Sequence, residues 1–535
     1  MFSQSHSVYG MVLLQLVLGV VAIPLNGNAA TNGTSACKIQ PAQLSDLIDI
    51  TLDDLSTLLH DRCFNSHQLT QAYIARINEV NDKFHMVTEI NPDALEIAKS
   101  LDVERASGKV RGPLHGVPIL IKDNIATLDK MNNTASSFAL LGAKTPKDST
   151  MATKLRAAGA IILEKVGMSQ WANFRASNNS DGWGARHGQI TSPYYPNLNP
   201  SGSSSGSGVA ASLGLSLGTL GTETAGSIKS PAERNCLVGI KPSVGLTSRY
   251  SVVLSSEHQD SVRPMARTVK DAAYLLSVMA GKDAADNDAL KGAKIGIPRE
   301  AIAANRHIKE FNQAVEVIRK MGATIVQDAN FPAWAEVVQS DAILTVVDLD
   351  AKTNLKQYFS QLTVNPNNIH SLADMINFTK SDPREDYPNR GVDQWESALA
   401  TKCEDNTCDE AKKAYEKDLY LVGEGTILGA LKNKGNNLDA LIMTVDIAGF
   451  VAALAGYPIV TVPMGFTSED TKVLSGAHGL IDDGPKLPLG LAFVGRRFDE
   501  QKLINLAYAF EQETQARSKG PKPYIVPKAQ VKDFL

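Results

Sequence analysis

The residues best able to do chemistry concentrate between positions 199 and 249, in NPSGSSSGSGVAASLGLSLGTLGTETAGSIKSPAERNCLVGIKPSVGLTSR. Its serine hydroxyls are candidate nucleophiles, but a hydroxyl attacks weakly until a base takes its proton. No histidine stands near these serines in sequence, although a distant one could fold in. A lysine can be that base only when neutral; its ordinary pKa is ~10.4, and burial can lower it by up to ~3–5 units. Lys122 closes the apolar run VPILI, a position consistent with desolvation. The plainer alternative is a strand-end lysine paired with a carboxylate such as Asp123.

Three further readings of the Gly/Ser stretch compete. A flexible linker would continue in polar, unpatterned sequence, whereas this run passes straight into VAASLGLSLGTL, so its glycines belong to a packed region. Gly206 to Ala211 fits GxGxxA, a dinucleotide fingerprint that needs a strand immediately upstream. Pro193, Pro196 and Pro200 deny it that strand. Gly202 to Gly206 fits GxSxG, the elbow of α/β-hydrolases, with Ser204 as nucleophile. The same prolines weaken it, but His258, His307, His370 and His478 downstream keep a Ser–Asp–His order open, and an esterase of that type is the alternative enzyme.

The elements that must position these groups alternate along the chain. Residues 41–105 carry apolar residues at helical spacing, with Asn65 or Ser66 able to cap a second helix. Short apolar runs at 117–122 and 159–166 predict buried strands on either side of a helix at 150–158, and a helix is predicted over 269–280. Residues 282–293 are a polar candidate connection. Then 293–298, a helix near 307–321 and 323–329 read as a strand–helix–strand unit. Residues 350–440 read as a charged, helical excursion over the core. The apolar run 446–466 is predicted to end in a Pro-punctuated strand, and 487–498 is one more strand, followed by a helix to about 515. This alternation predicts an α/β fold with a central sheet.

Taken together, the motifs resemble the amidase signature family. They are GSSSGSG (202–208), GTETAGSI (221–228), GIKPSVGLTSR (239–249), GPLHGVPILIKDN (112–124), DSVRPMARTVKDAA (260–273), AGYPIVTVPMGF (455–466) and LPLGLAFVGRRFDE (487–500). The resemblance covers about residues 45–515 and is closest in motif to the bacterial peptide amidase branch. It implies a single large α/β/α domain, a central mixed β-sheet flanked by helices, over residues 30–535, with the signature core at about 110–250. It implies a hydrolase that cleaves carboxamide C–N bonds through an acyl-enzyme. Carried over by motif, the nucleophile is Ser227, the bridging serine on a cis peptide bond is Ser203, and the base is Lys122. Backbone N–H groups of Thr224, Ala225, Gly226 and Ser227 form the oxyanion hole. The family commonly carries Gly or Asp where this chain has Ala225, and often Gly where it has Ser205. An alanine suits that loop only if its φ is negative. No cofactor and no metal is implied; the partner is a small-molecule or peptide amide.

Composition bounds the rest. The chain has 535 residues, 53 Lys+Arg against 57 Asp+Glu, a net charge of −4 and 43% hydrophobic residues. Wholesale disorder is excluded, and with no basic excess a nucleic-acid partner is not expected. The ten histidines are scattered without HExxH, and no CxxC occurs, so no metal site is expected. Met11 to Leu25 is apolar, uncharged and too short to span a bilayer, with small residues after it. Residues 1–29 therefore read as a signal peptide cleaved near Ala29, giving a secreted protein without a membrane anchor. In an oxidising compartment Cys403 and Cys408 are expected to pair, Cys37 with Cys63 less securely, and Cys236 to remain a buried thiol. Sequons stand at Asn32, Asn132, Asn178 and Asn377. Two readings outside simple amidases remain: an amidotransferase subunit working on charged tRNA, and an inactive secreted binding protein. Both share the signature.

Overall fold

Apolar runs without polar alternation, such as PILIK and IILEKV, are the pattern of strands covered on both faces. In the computed structural model they form β2 (Pro118–Lys122) and β3 (Ile161–Val166), every residue buried. The structure describes residues 37, 39–280, 289–432, 435, 437–453 and 456–535. The signal segment with its cleavage point, Asn32 and most of the 282–293 connection lie outside them.

With β1 (Val87–Ile90), β4 (Gly218–Glu223), β5 (Val238–Lys241), β6 (Ser261–Ala266), β7 (Lys294–Gly296), β8 (Thr324–Val326), β9 (Ala440–Thr444), β10 (Ile459–Phe466) and β11 (Pro488–Val494), they make one mixed sheet of 11 strands. Its order is β1-β3-β2-β4-β6-β5-β10-β11-β9-β7-β8. β2 runs parallel to both β3 and β4, while β4–β6, β6–β5 and β5–β10 are antiparallel. β7 and β8 are parallel and joined through the helix Ile308–Lys320, the strand–helix–strand unit predicted at 293–329. Helices flank the sheet, which is the single α/β domain expected.

The helical N-terminal stretch resolves into Leu52–His60, Ser66–Phe84 and Ala94–Ala106. Asn65 caps the second of them by accepting the Gln68 N–H. β1 interrupts that stretch and was not predicted; it is an edge strand of four residues. β6 was not predicted either, and it carries Pro264, a residue that inner strands disfavour. It is tolerated because the β5 ladder reaches only Met265 and Ala266 and leaves Pro264 beyond its end.

The Gly/Ser stretch is no linker: residues 203–220 are all buried. Ser205–Ser212 forms a short helix, α1, whose small side chains admit close packing. A Cβ at Gly206 would stand 2.4 Å from the Gly167 carbonyl and 2.7 Å from that of Met86, so only glycine fits there. Residues 342–432 form the helical excursion, including α2 (Ala342–Ser360) and α3 (Asp409–Val422). It docks through Trp395, Met375 and Leu355 against Ala135, Met168 and Trp171. A buried ion pair, Arg175–Glu385 at 3.5 Å, joins the same two regions; Glu385 also accepts from Ser137 Oγ and the Phe138 N–H at 2.8 Å and from Gln170 Nε2 at 2.7 Å. Cys37–Cys63 and Cys403–Cys408 are disulfide-bonded, and Cys236 is a buried thiol.

Candidate active site

Lys122 is the last residue of β2 and Thr222 lies near the end of β4, its parallel neighbour. That adjacency brings the lysine to the Gly/Ser segment. Lys122 Nζ donates to Ser203 Oγ at 2.8 Å, to Thr222 Oγ1 at 3.0 Å and to the Thr222 carbonyl at 3.2 Å. Ser203 Oγ in turn donates to Ser227 Oγ at 3.1 Å. The peptide bond between Gly202 and Ser203 is cis. The three residues assembled from separate motifs therefore form one continuous chain of hydrogen bonds. Lys122 and Ser203 are fully buried, while Ser227 is 6% exposed.

Among the described residues Lys122 has no ion pair, and the alternative pairing with Asp123 is not made. The Asp123 carboxylate instead accepts N–H groups of Thr134 at 3.1 Å and Ser136 at 2.9 Å. Burial lowers the Lys122 pKa from 10.5 to about 7, with Asp260 and Glu223 opposing and Arg263 assisting. A lysine so placed holds both protonation states near neutral pH, as a general base requires.

The turn carrying Ser227 connects β4 to the short helix Lys229–Arg234. Its shape is set by Glu223, the last residue of β4. The carboxylate accepts the N–H groups of Ile228 at 2.7 Å and Lys229 at 3.2 Å, and pairs with Lys229 Nζ at 3.2 Å and Arg263 at 2.8 Å. Burial alone would push its pKa up; the three cations Arg263, Lys229 and Lys241 outweigh that and bring it below the usual range. Gly226 sits at φ +91°, a value that glycine takes freely. Ala225 is not among the residues with positive φ, so the departure from the family pattern costs nothing at the backbone. Ser205 opens α1 and donates to the Ser201 carbonyl at 2.6 Å. No protein acceptor takes the N–H groups of Thr224, Ala225, Gly226 or Ser227 among the described residues. Thr224 to Gly226 are exposed in part, whereas Ser227 is buried.

Ser204 does not fit the elbow. No strand precedes it, its hydroxyl donates to the Thr222 carbonyl at 3.0 Å, and it is fully buried. The residues that sequence reasoning missed are Thr222, Asn124, Glu223, Arg263 and Asp260. Asn124 Nδ2 donates to Thr222 Oγ1 at 3.0 Å and so orients a partner of the lysine. The only trace of Glu223 in the sequence is an acidic residue closing an otherwise apolar strand.

Two cavities lie near the chain of hydrogen bonds, though neither is lined by Lys122, Ser203 or Ser227. One, beside Asn124, is lined by Met168, Trp171, Phe174, Leu355 and Trp395. The other, about 310 Å³, is polar and lined by Asn173, Asn179, Asp181, Asn199 and Gln394. It adjoins Gly202, where a Cβ would meet Asp181 Oδ1 at 2.6 Å. Glu257, His258 and Asp350 place ligand-type atoms within 4.8 Å of one another. These carboxylates already take protein donors: Asn406 Nδ2 reaches both at 2.7 and 2.8 Å, and His258 Nδ1 reaches Asp350 at 2.8 Å.

Residues 68–504 match the family model described as Amidase. A relative from Arthroderma benhamiae that carries the amidase name is 47% identical over 540 residues, 93% of this chain and 90% of its own length. One of the same name from Arabidopsis thaliana is 35% identical, over 91% of this chain and 94% of its own. Among solved structures, the native peptide amidase of Stenotrophomonas maltophilia superposes with a TM-score of 0.78 at 34% identity, covering 89% of this chain and 98% of its own.

Proposed function

Because the chain belongs to the amidase signature family and is an amide-hydrolysing enzyme, we propose that Ser227 is its nucleophile, Ser203 its proton relay and Lys122 its base. The carrying observation is the unbroken Lys122–Ser203–Ser227 chain of hydrogen bonds. With Lys122 protonated, the chain donates from the ammonium outward to Ser227. Once Lys122 is neutral, both hydroxyls reverse: Ser227 donates to Ser203, and Ser203 donates to the amine lone pair.

Ser227 Oγ then attacks the amide carbonyl as its proton passes to Ser203 and the Ser203 proton passes to Lys122. The oxyanion of the tetrahedral intermediate is received by the free N–H groups of the turn 224–227. Losing one such donor typically costs ~3–4 kcal/mol of transition-state stabilisation. Collapse breaks the C–N bond, the leaving amine takes a proton back along the same relay, and an acyl-enzyme remains. Water, deprotonated by the same relay, attacks the ester carbonyl and releases the acid.

The substrate is a small-molecule or peptide amide. We infer that peptide amides are the first class to try, since the polar cavity beside Gly202 offers the amide side chains of Asn173, Asn179, Asn199 and Gln394. Parts of 124–181 and 351–395 line the two cavities, so specificity resides there.

We also propose that residues 1–29 are a signal peptide cleaved near Ala29 and that the enzyme works outside the cell. Two disulfides support an oxidising destination. Of the described sequons, Asn377 is exposed on a helix, whereas Asn132 is engaged with Glu89 and the Gly142 N–H, and the exposed Asn178 with the Asn389 carbonyl and the Gly391 N–H. Asn377 is the proposed glycan acceptor. Ammonia release from a panel of peptide and simple amides, compared with Ser227→Ala, tests the mechanism. Wild-type-like turnover in that variant defeats the assignment. N-terminal sequencing of protein collected from culture medium tests the signal segment.

A further inference from the structure

Lys122 must become a cation during the acylation step, inside a buried site that holds no ion pair for it. The sheet supplies one carboxylate nearby that forms no ion pair among the described residues, although the Arg263 charge acts on it. β4 and β6 are antiparallel with Thr222 opposite Val262 and Glu223 opposite Ser261, so the same register brings Asp260 beside Thr224. Alternate residues of a strand share a face. Thr222, Thr224 and Asp260 therefore stand on one face, the face on which Lys122 Nζ meets Thr222 Oγ1.

Asp260 is 4% exposed. Its Oδ2 accepts the N–H groups of Ser255 at 2.7 Å and Ser256 at 3.3 Å, while Oδ1 is buried without a hydrogen-bond partner. Among the described residues it forms no ion pair, in contrast to Glu223, whose charge is met by Arg263 and Lys229. The loop that holds Asp260 is pinned from outside the sheet. Ser256 Oγ donates to Asp350 on α2 at 2.5 Å, and His258 pairs with the same carboxylate at 2.8 Å.

Resting on the assignment of Lys122 as the base, we propose that Asp260 is a positioning residue of this site, a fixed counter-charge to the cation that Lys122 becomes when it takes the Ser203 proton. The charged groups that act on Lys122 are Asp260, Glu223 and Arg263; the first favours the cation, and the other two sit paired with each other. Burial raises the pKa of Asp260 itself, while the Thr224 hydroxyl and the two loop N–H groups hold it down.

The test is the pH profile of kcat/KM on one peptide amide for wild type, Asp260→Asn and Asp260→Glu, each shown folded by its unfolding transition. Removing the charge makes the lysine cation harder to form, so the acid limb of Asp260→Asn moves down by about one pH unit. Its plateau falls about tenfold, because the transition state loses the same support. Asp260→Glu keeps the charge and leaves the limb within about 0.3 unit of wild type, whatever its plateau. A limb at the wild-type pH in folded Asp260→Asn overturns the proposal, because a purely structural role lowers the plateau alone. Should Asp260→Asn not fold, Asp260→Ser takes its place: an acid limb moved down by about one pH unit supports the counter-charge, and a limb at the wild-type pH overturns it. A flat wild-type profile, or an active Lys122→Ala, instead overturns the lysine base itself and is read before any Asp260 variant.

Discussion

Replacing Lys122 with methionine should abolish turnover and stabilise the protein. A lysine whose pKa falls from 10.5 to about 7 on folding costs the folded state roughly 4 kcal/mol at neutral pH. Between those two values the unfolded chain holds a proton that the folded chain has released, so this penalty shrinks as pH rises through the window and vanishes above 10.5. At and below pH 7 it is nearly complete. Methionine removes the charge while keeping most of the volume. The atoms that lose the ammonium are not orphaned: Thr222 Oγ1 still accepts from Asn124, the Thr222 carbonyl still accepts from Ser204, and Ser203 still bonds Ser227. Allowing about 1 kcal/mol for the lost hydrogen bonds, Lys122→Met should be more stable than wild type by roughly 3 kcal/mol at pH 7 and less stable than it by up to about 1 kcal/mol above pH 10.5. Denaturant unfolding of both proteins across pH 6–10.5 measures the difference. The other buried lysines, Lys165, Lys229 and Lys241, titrate alike in both and cancel. A difference that does not change with pH would refute the claim that desolvation of Lys122 pays for its basicity.

Wild-type kcat/KM should rise with pH and level off above about 7, the value at which buried Lys122 loses its proton; a profile flat from pH 5 to 10 with chemistry rate-limiting would contradict it. Glu164 is fully buried, neither oxygen has a partner among the described residues, and desolvation holds its pKa well above the usual range. Its protonated form is the folded one, so stability falls as pH rises above the unfolded carboxyl's value, and Glu164→Gln should gain stability over wild type at pH 8 and not at pH 4. Glu385→Ala strands the buried Arg175 guanidinium and should cost about 3–5 kcal/mol in an unfolding titration. Replacing Cys63 with serine opens a 26-residue separation, and replacing Cys408 one of 5 residues; the chain-entropy model gives losses of about 3.5 and 2 kcal/mol, in that order.

The residues that carry local signals could be read directly. The helices at 150–157, 269–279, 308–320 and 500–514 follow from spacing alone, and so does the packed character of the Gly/Ser stretch, whereas the roles of Lys122, Ser203 and Ser227 come only from the motifs shared with the family. What escaped depends on contacts made far along the chain. Glu223 acquires its role only when β6 lies beside β4 and delivers Arg263 to it. Glu385 acquires its role only when the excursion folds back 210 residues onto Arg175. β6 itself carries Pro264, and the rule that forbids proline in inner strands assumes ladders on both sides, whereas here the β5 ladder stops short. β1 is short and partly exposed, and it reads as a continuation of its helical neighbours.

The strand order explains why these late contacts converge on one place. β2, β4 and β6 are consecutive in the sheet, and each contributes from the same end: Lys122 and Glu223 are the last residues of their strands, and Asp260 precedes the first residue of an antiparallel one. A mixed sheet is what permits this, because an antiparallel strand begins where its parallel neighbours finish. The register is equally binding. A slip of one residue between β4 and β6 would turn Asp260 to the opposite face and move Arg263 away from Glu223, freeing the carboxylate that holds the Ile228 and Lys229 N–H groups. The pairing of Leu220 with Pro264 and Thr219 with Met265 therefore does more than complete a sheet: it fixes, several residues away, both the turn that presents Ser227 and the charge beside its base.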